Sequence, residues 1–195
     1  GGDCDAGVCQ PVEIWASSAD PKSRFSWGIT IAEDQVVWLS DEGTLALPLA
    51  APPGTEPTVI SPVPGVRILY EAPTLYRTWS KLITTPLTGG DDQIWGSGMC
   101  NRDLTRDSDG NTFCVESAQS GKLIGYDDSL DAFWSYGGLS PAFGVAVTDS
   151  DVYVGTESGL LRISKSFPGA PQTLHPHPST AQILKVDSKL YFGSS

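Results

Sequence analysis

The densest run of oxygen ligands in this sequence is TRDSDGNTFCVE, residues 105 to 116, where Asp107, Asp109, Asn111 and Glu116 stand at offsets similar to those of a calcium loop. Such a loop needs oxygens at alternate positions and a terminal carboxylate. Thr105 stands where the first acid belongs. The plainer alternative is an Asp-Gly turn between two strands, because Asp closes turns through its own backbone bonds and Gly supplies a positive φ. Calcium is the one cofactor that the sequence raises. His175 and His177 in LHPHPS are the only histidines, and two imidazoles without a third ligand hold a metal weakly. Their Pro-rich setting fits an outer strand running into a rigid loop.

Four cysteines form two local pairs, Cys4 with Cys9 and Cys100 with Cys114, and neither has the Cys-x-x-Cys spacing of a zinc knuckle. Disulfides are the expected state, which places the chain in an oxidising compartment. Closing the loop from Cys100 to Cys114 is worth about 3 kcal/mol in the chain-entropy account. A redox-active pair would need basic neighbours to lower a thiol pKa, and Arg102 and Arg106 are the candidates. Cys4 and Cys9 read as a staple in a Gly-rich linker, although the spacing also permits pairing with a cysteine upstream. No Gly-x-Ser-x-Gly elbow, nucleotide-binding glycine loop or His-Glu-x-x-His helix occurs. No catalytic residue is therefore assigned. Arg77 and Trp79 lie in a stretch with few glycines and are the residues expected to face a ligand.

The elements that would position these residues are short strands. Twenty-one glycines and fifteen prolines in 195 residues, with apolar runs only a few residues long, suit many strands joined by tight turns. No run approaches the roughly eighteen apolar residues that cross a bilayer, and no charged start with an apolar core reads as a signal peptide. Twelve basic against twenty-three acidic residues give a net charge of -11, a field that repels phosphate backbones and excludes nucleic acid as a partner.

A repeat organises the strands. QVVWLS, TLYRTW, TFCVES, DVYVGT and KLYFGS are centred on Val37, Tyr76, Cys114, Tyr153 and Tyr191, a period of 38 or 39 residues. A second series follows it in GTLALPL, KLITTPL, GKLIGYD and GLLRISK, three of which open on Gly43, Gly121 or Gly159. Glycine there permits the positive φ of a hairpin. A third series, VEIWAS, PTVISP, DQIWGS, DAFWSY and PQTLHP, repeats Trp15, Trp95 and Trp134 at one place, as packing between units requires. Trp27 and Phe143, each before a glycine at the entry to a unit, also read as structural. GITIA, VRILY, NRDLT, GVAVT and QILKV precede the first series, and Glu33, Asp149 and Asp187 stand at the intervening turns. Each unit therefore predicts four antiparallel strands in about 39 residues, the size of a propeller blade. One such unit cannot bury both of its faces alone.

The fold expected is all-β: a β-propeller of four-stranded antiparallel blades with about five repeats, a piece of a larger ring. Residues 1–11 are a Cys-containing linker, 12–18 the outer strand of the last blade, and 27–61, 66–97, 100–138 and 143–177 the four blades, with 181–195 a partial fifth. The unit GITIAEDQVVWLSDEGTLALPLA resembles the blades of YWTD and TolB-like six-bladed propellers, although the Tyr-Trp-Thr-Asp tetrad is intact in no unit. With the lead-in CDAGVCQP, the chain is similar to bacterial secreted or lipid-anchored repeat proteins. That resemblance implies a scaffold that is secreted, periplasmic or at the cell surface, with an upstream anchor and a protein or carbohydrate ligand. The function expected is non-enzymatic binding. Two other readings stand beside it: a hydrolase or lactonase with a metal in the central channel, where Asp103 is the acid the inner strands offer, and a structural spacer in a surface protein.

Overall fold

The computed structural model describes residues 4–5, 8–9, 28–96, 98–117, 121–166, 169–176, 180–186 and 189–194. Every element among them is a strand. Apart from a short N-terminal pair, β1 (Cys4–Asp5) and β2 (Val8–Cys9), the strands group by the repeat. The first blade comprises β3 (Ile29–Ala32), β4 (Gln35–Ser40), β5 (Gly43–Pro48) and β6 (Thr58–Ser61). The second comprises β7 (Arg67–Glu71), β8 (Thr74–Thr78), β9 (Leu82–Pro86) and β10 (Gln93–Trp95). The third is β11 (Leu104–Arg106), β12 (Thr112–Glu116), β13 (Lys122–Tyr126) and β14 (Ala132–Tyr136); the fourth is β15 (Ala142–Val147), β16 (Asp151–Thr156), β17 (Gly159–Ser164) and β18 (Gln172–His175). A further hairpin, β19 (Thr180–Val186) and β20 (Lys189–Ser194), begins a fifth.

Within each complete blade the strands pair in sequence order, all antiparallel. The innermost strands β3, β7, β11, β15 and β19 touch one another in succession, which sets the blades side by side around an axis. The all-β propeller expected from the repeat is thus the observed fold, with four complete four-stranded blades and the hairpin of a fifth. The expected outer strand at 12–18, with Trp15, Trp27 and Asp187, lies outside the described residues. The backbone sets Cys4 opposite Cys9.

Each seam between blades is an apolar layer. Val37, Ala46 and Ile60 of the first blade meet Leu75, Ile68 and Tyr70 of the second. Leu69, Tyr76 and Leu82 of the second meet Leu104, Cys114 and Ile124 of the third. Phe113, Val115 and Leu123 meet Val145, Val152 and Leu161 of the fourth, whose Ala146, Tyr153 and Leu160 meet Ile183 and Leu190. Each fully buried side chain of this size contributes about 1.5–3 kcal/mol. Trp95 and Trp134 lie on outermost strands, and both pack into the seam toward the following blade.

One alignment of the repeat needs correction. Val37, Tyr76 and Tyr153 face the following blade, whereas Cys114 faces the preceding one and its neighbours Phe113 and Val115 face forward. Side chains alternate along a strand, so a one-residue offset reverses the face. The residue equivalent to Tyr76 is therefore a neighbour of Cys114. Cys100 lies in the connection before β11; its Cα is 5.6 Å from that of Cys114, to which it is disulfide-bonded. Both cysteines are fully buried in the seam between the second and third blades.

The glycines that open third strands are set by close approach. Gly43 and Gly159 have φ of +123° and +134°, and a Cβ would stand 2.1 Å from the Ser61 carbonyl oxygen and 2.2 Å from that of His175. Gly159→Ala is expected to lower the unfolding free energy by about 1–3 kcal/mol, whereas Gly137→Ala, whose Cβ meets nothing within 4 Å, stays within about 0.5 kcal/mol of the parent. Urea denaturation of the two variants makes the comparison.

Candidate functional site

Arg77 does not face outward. It sits mid-strand on β8, directed at the first blade, and is 0% exposed. One terminal nitrogen donates to Thr44 Oγ1 at 2.8 Å and the Val63 carbonyl at 2.7 Å. The other donates to Ser61 Oγ at 3.2 Å, Thr85 Oγ1 at 2.6 Å and Asp92 Oδ1 at 2.5 Å. Asp92 also accepts from Ser61 Oγ at 2.6 Å and from Thr85 Oγ1. Burial lowers the Arg77 pKa, and the Asp92 carboxylate opposes that shift. The expectation that Arg77 contacts a ligand is therefore replaced by a structural role: the residue clamps the first two blades together. The signal was in the sequence, since Thr44, Ser61 and Thr85 are hydroxyls at positions that should be apolar.

The segment 105–116 does not close around a cation. Asp107 Oδ1 accepts from the backbone N–H of Asp109 at 3.0 Å and of Asn111 at 2.8 Å, while Oδ2 accepts from Asn111 Nδ2 at 3.0 Å and Lys165 Nζ at 2.8 Å. Burial works against ionisation of Asp107, but the bonds from Lys165 and Asn111 outweigh it and hold the carboxyl below its ordinary value. Glu116 lies at the far end of β12 from this turn, about 13 Å away at 3.3 Å per residue, and pairs in register with Lys122. The four residues read as ligands therefore do not converge, because strand β12 runs between them. Among the described residues no three His, Cys, Asp or Glu side chains stand together as a metal site. A second turn of the same design lies alongside: Asp127 Oδ1 accepts from the N–H groups of Ser129 and Asp131, and Leu130 takes a φ of 62° where Gly110 takes 84°.

A cleft lies against the innermost strands. It has a volume of about 450 Å³ and is lined by Arg67, Asp103, Ile183, Leu184, Tyr191 and Phe192, with Gly193 at its edge. Asp103 precedes β11 and is held from three sides. Its Oδ1 accepts from Leu104 N at 3.1 Å and lies 3.5 Å from Arg67 Nε of the second blade. Its Oδ2 accepts from Val145 N of the fourth blade at 3.1 Å. Burial raises the Asp103 pKa, and the bonds from Val145, Arg67 and Leu104 act against the rise. This acid ties three blades at the axis. His175 is exposed on β18, its ring centroid 5.5 Å from that of Phe192, while His177 lies outside the described residues.

Trp79 is 45% exposed in the turn between β8 and β9, beside the segment that leads into the third blade. Thr78 Oγ1 donates to the Arg102 carbonyl at 2.8 Å, and Cys100 N donates to the Ser80 carbonyl at 3.3 Å. These bonds align the two segments antiparallel at the rim next to the cleft. Phe143 is half-buried there, under the Arg102 guanidinium at 5.9 Å.

No protein-family model matches the chain, and no curated protein matches it either. Solved structures do. One chain of a nidogen/laminin complex is 13% identical with a TM-score of 0.70, over 88% of this chain and 73% of that one. The AfRom2 CNH domain is 14% identical with a TM-score of 0.71, over 92% of this chain and 68% of that one. The computationally designed Ika4 protein is 10% identical with a TM-score of 0.58, and 86% of this chain covers all of it. At these identities the likeness shows the fold alone: a β-propeller.

Two expectations follow. Arg77→Leu leaves Asp92 unpaired in the first seam and is expected to cost about 3–5 kcal/mol of stability, with Arg77→Leu/Asp92→Leu recovering part of the loss in urea titrations. For Asp103, a folded-state pKa above the unfolded one means that the native state binds the proton more readily. Its contribution therefore falls as pH rises from about 4, the unfolded value. The stability difference between the parent and Asp103→Asn should accordingly shift against the parent through that window. A difference that grows with pH would contradict the assignment.

Proposed function

We propose that this chain is the blade set of a non-enzymatic binding module, exported to the bacterial periplasm or cell surface, that engages a protein or carbohydrate at the cleft end of its propeller. The observation that carries this reading is the wall of the cleft. One cationic side chain, Arg67, stands with Phe192 and Ile183, while the acid, Asp103, is committed to bonds that join blades. Concave sites with apolar walls and a few fixed polar groups suit recognition. A hydrolase would need a carboxylate aimed at substrate, whereas Asp103 is bonded to Leu104, Val145 and Arg67.

The disulfide between Cys100 and Cys114 supports an oxidising compartment. Ring size belongs to the same proposal. Leu184 and Tyr191, 61% and 53% exposed, face onward from the fifth hairpin, and Ile29 and Ile31 face outward from the first blade. These are the faces that every internal seam covers. Further blades, six or seven in all, would cover them in the complete ring.

A screen of immobilised glycans and displayed peptides is expected to yield ligands that Phe192→Ala and Arg67→Gln each weaken at least tenfold, with folding unchanged by circular dichroism. Turnover of a glycoside, lactone or phosphoester, lost in Asp103→Asn, would overturn the non-enzymatic assignment.

A further inference from the structure

We propose that the rim beside the cleft, built from Trp79, Met99, Arg102 and Phe143, docks an acidic polypeptide segment that carries an apolar anchor side chain. This rests on the binding-module reading and names the chemistry of a partner.

Trp79 has no place in the repeating core. The turns joining second to third strands contain Asp41 and Glu42 in the first blade and Glu157 and Ser158 in the fourth. In the second blade, Thr78 pairs with Leu82, leaving three residues, Trp79, Ser80 and Lys81, in the turn. A large aromatic thus stands at the surface where its counterparts are acids. The bonds between Thr78 and Arg102 and between Ser80 and Cys100 fix the neighbouring segment against it, and Lys81 Nζ reaches the Gly96 carbonyl at 3.3 Å. Met99, 43% exposed, therefore shares the same rim. Arg102 extends it over Phe143 of the fourth blade. Trp, Met and Arg are the types enriched at the centres of protein interfaces, and Trp and Arg dominate their energetics.

Charge selects the partner. The exposed acids Glu33, Asp34, Glu71, Asp109, Asp128, Asp131 and Asp149 lie at the opposite ends of the strands. Strands of five or six residues separate the two rims by roughly 17–20 Å, about two screening lengths of 8–10 Å at physiological salt. The charge of that far rim is therefore little felt at Trp79. Locally, Lys81 and Arg102 face a partner and Glu116 of the third blade is matched by Lys122 opposite it, while Asp41 and Glu42 on one side and Glu157 on the other confine the cationic window to the second and third blades. A basic segment would be drawn to the far rim; an acidic one finds favourable contact here.

Peptide display against the intact chain tests the assignment, followed by fluorescence anisotropy on purified peptides. Enriched sequences are expected to combine Asp or Glu with an aromatic or Leu. Their affinity should fall at least tenfold in Trp79→Ala and in Arg102→Glu, fall with added salt, and stay within twofold in Asp109→Asn/Asp128→Asn. Basic or neutral enriched peptides, no enrichment, or equal binding to Trp79→Ala and Arg102→Glu would overturn it. Peptides lost only in Arg67→Gln would overturn this inference while leaving the binding-module reading standing.

Discussion

A blade of this chain has two apolar faces and no interior of its own, so every strand depends on the seams to the blades beside it. The alternation along β8 makes this concrete: Leu75 and Arg77 face the first blade, while Tyr76 and Thr78 face the third. At about 1.5–3 kcal/mol for each buried large side chain, one seam offsets a substantial part of the ordering entropy of the two sheets it joins, about 1–2 kcal/mol per residue of backbone. A single blade has no seam and no such offset. Local turn chemistry, including the paired Asp107 and Asp127 turns, sets the shape of each sheet, and the seams make it stable.

The same constraint explains where polar groups are tolerated. At the axis, the Asp103 carboxylate accepts a backbone N–H from each of two blades and lies beside Arg67 of a third. At the rim opposite Trp79, Arg106 bonds Glu71 and lies 4.2 Å from the Tyr76 ring centroid, and Lys165 reaches Asp107, so long cations span the second, third and fourth blades. Each is a charge-assisted contact between neighbouring repeats. What stays exposed after these demands are met includes the cleft wall and the Trp79 rim, the surfaces proposed for recognition.

Most of this architecture was legible in the sequence because a strand repeat leaves a countable period. QVVWLS, DVYVGT and KLYFGS are β4, β16 and β20 to the residue, and the tryptophans at 95 and 134 pack at corresponding places. The candidate sites were less legible for two physical reasons. A period that alternates between 38 and 39 cannot fix parity, and parity decides which face a side chain takes; Cys114 was misaligned on that account. A loop of oxygen-bearing residues also reads alike whether it binds a cation or its own backbone. Lys165, from the next blade, decides between the two, and it lies fifty-eight residues away from Asp107.

Arg77 shows what the repeat alone could not supply. Apolar seams between similar blades are interchangeable in principle, and repeat proteins are prone to joining the wrong neighbours. The first seam is unlike the others. Thr44 and Ser61 from one blade and Arg77, Thr85 and Asp92 from the next form a network that only this pair of blades can complete. A buried ion pair is weak evidence for stability, because desolvation offsets much of the attraction, but any wrong partner leaves the charge unmatched at several kcal/mol. Specific registry is the attested use of such a pair. Here the network sets the second blade against the first, and Asp103 then links the second, third and fourth.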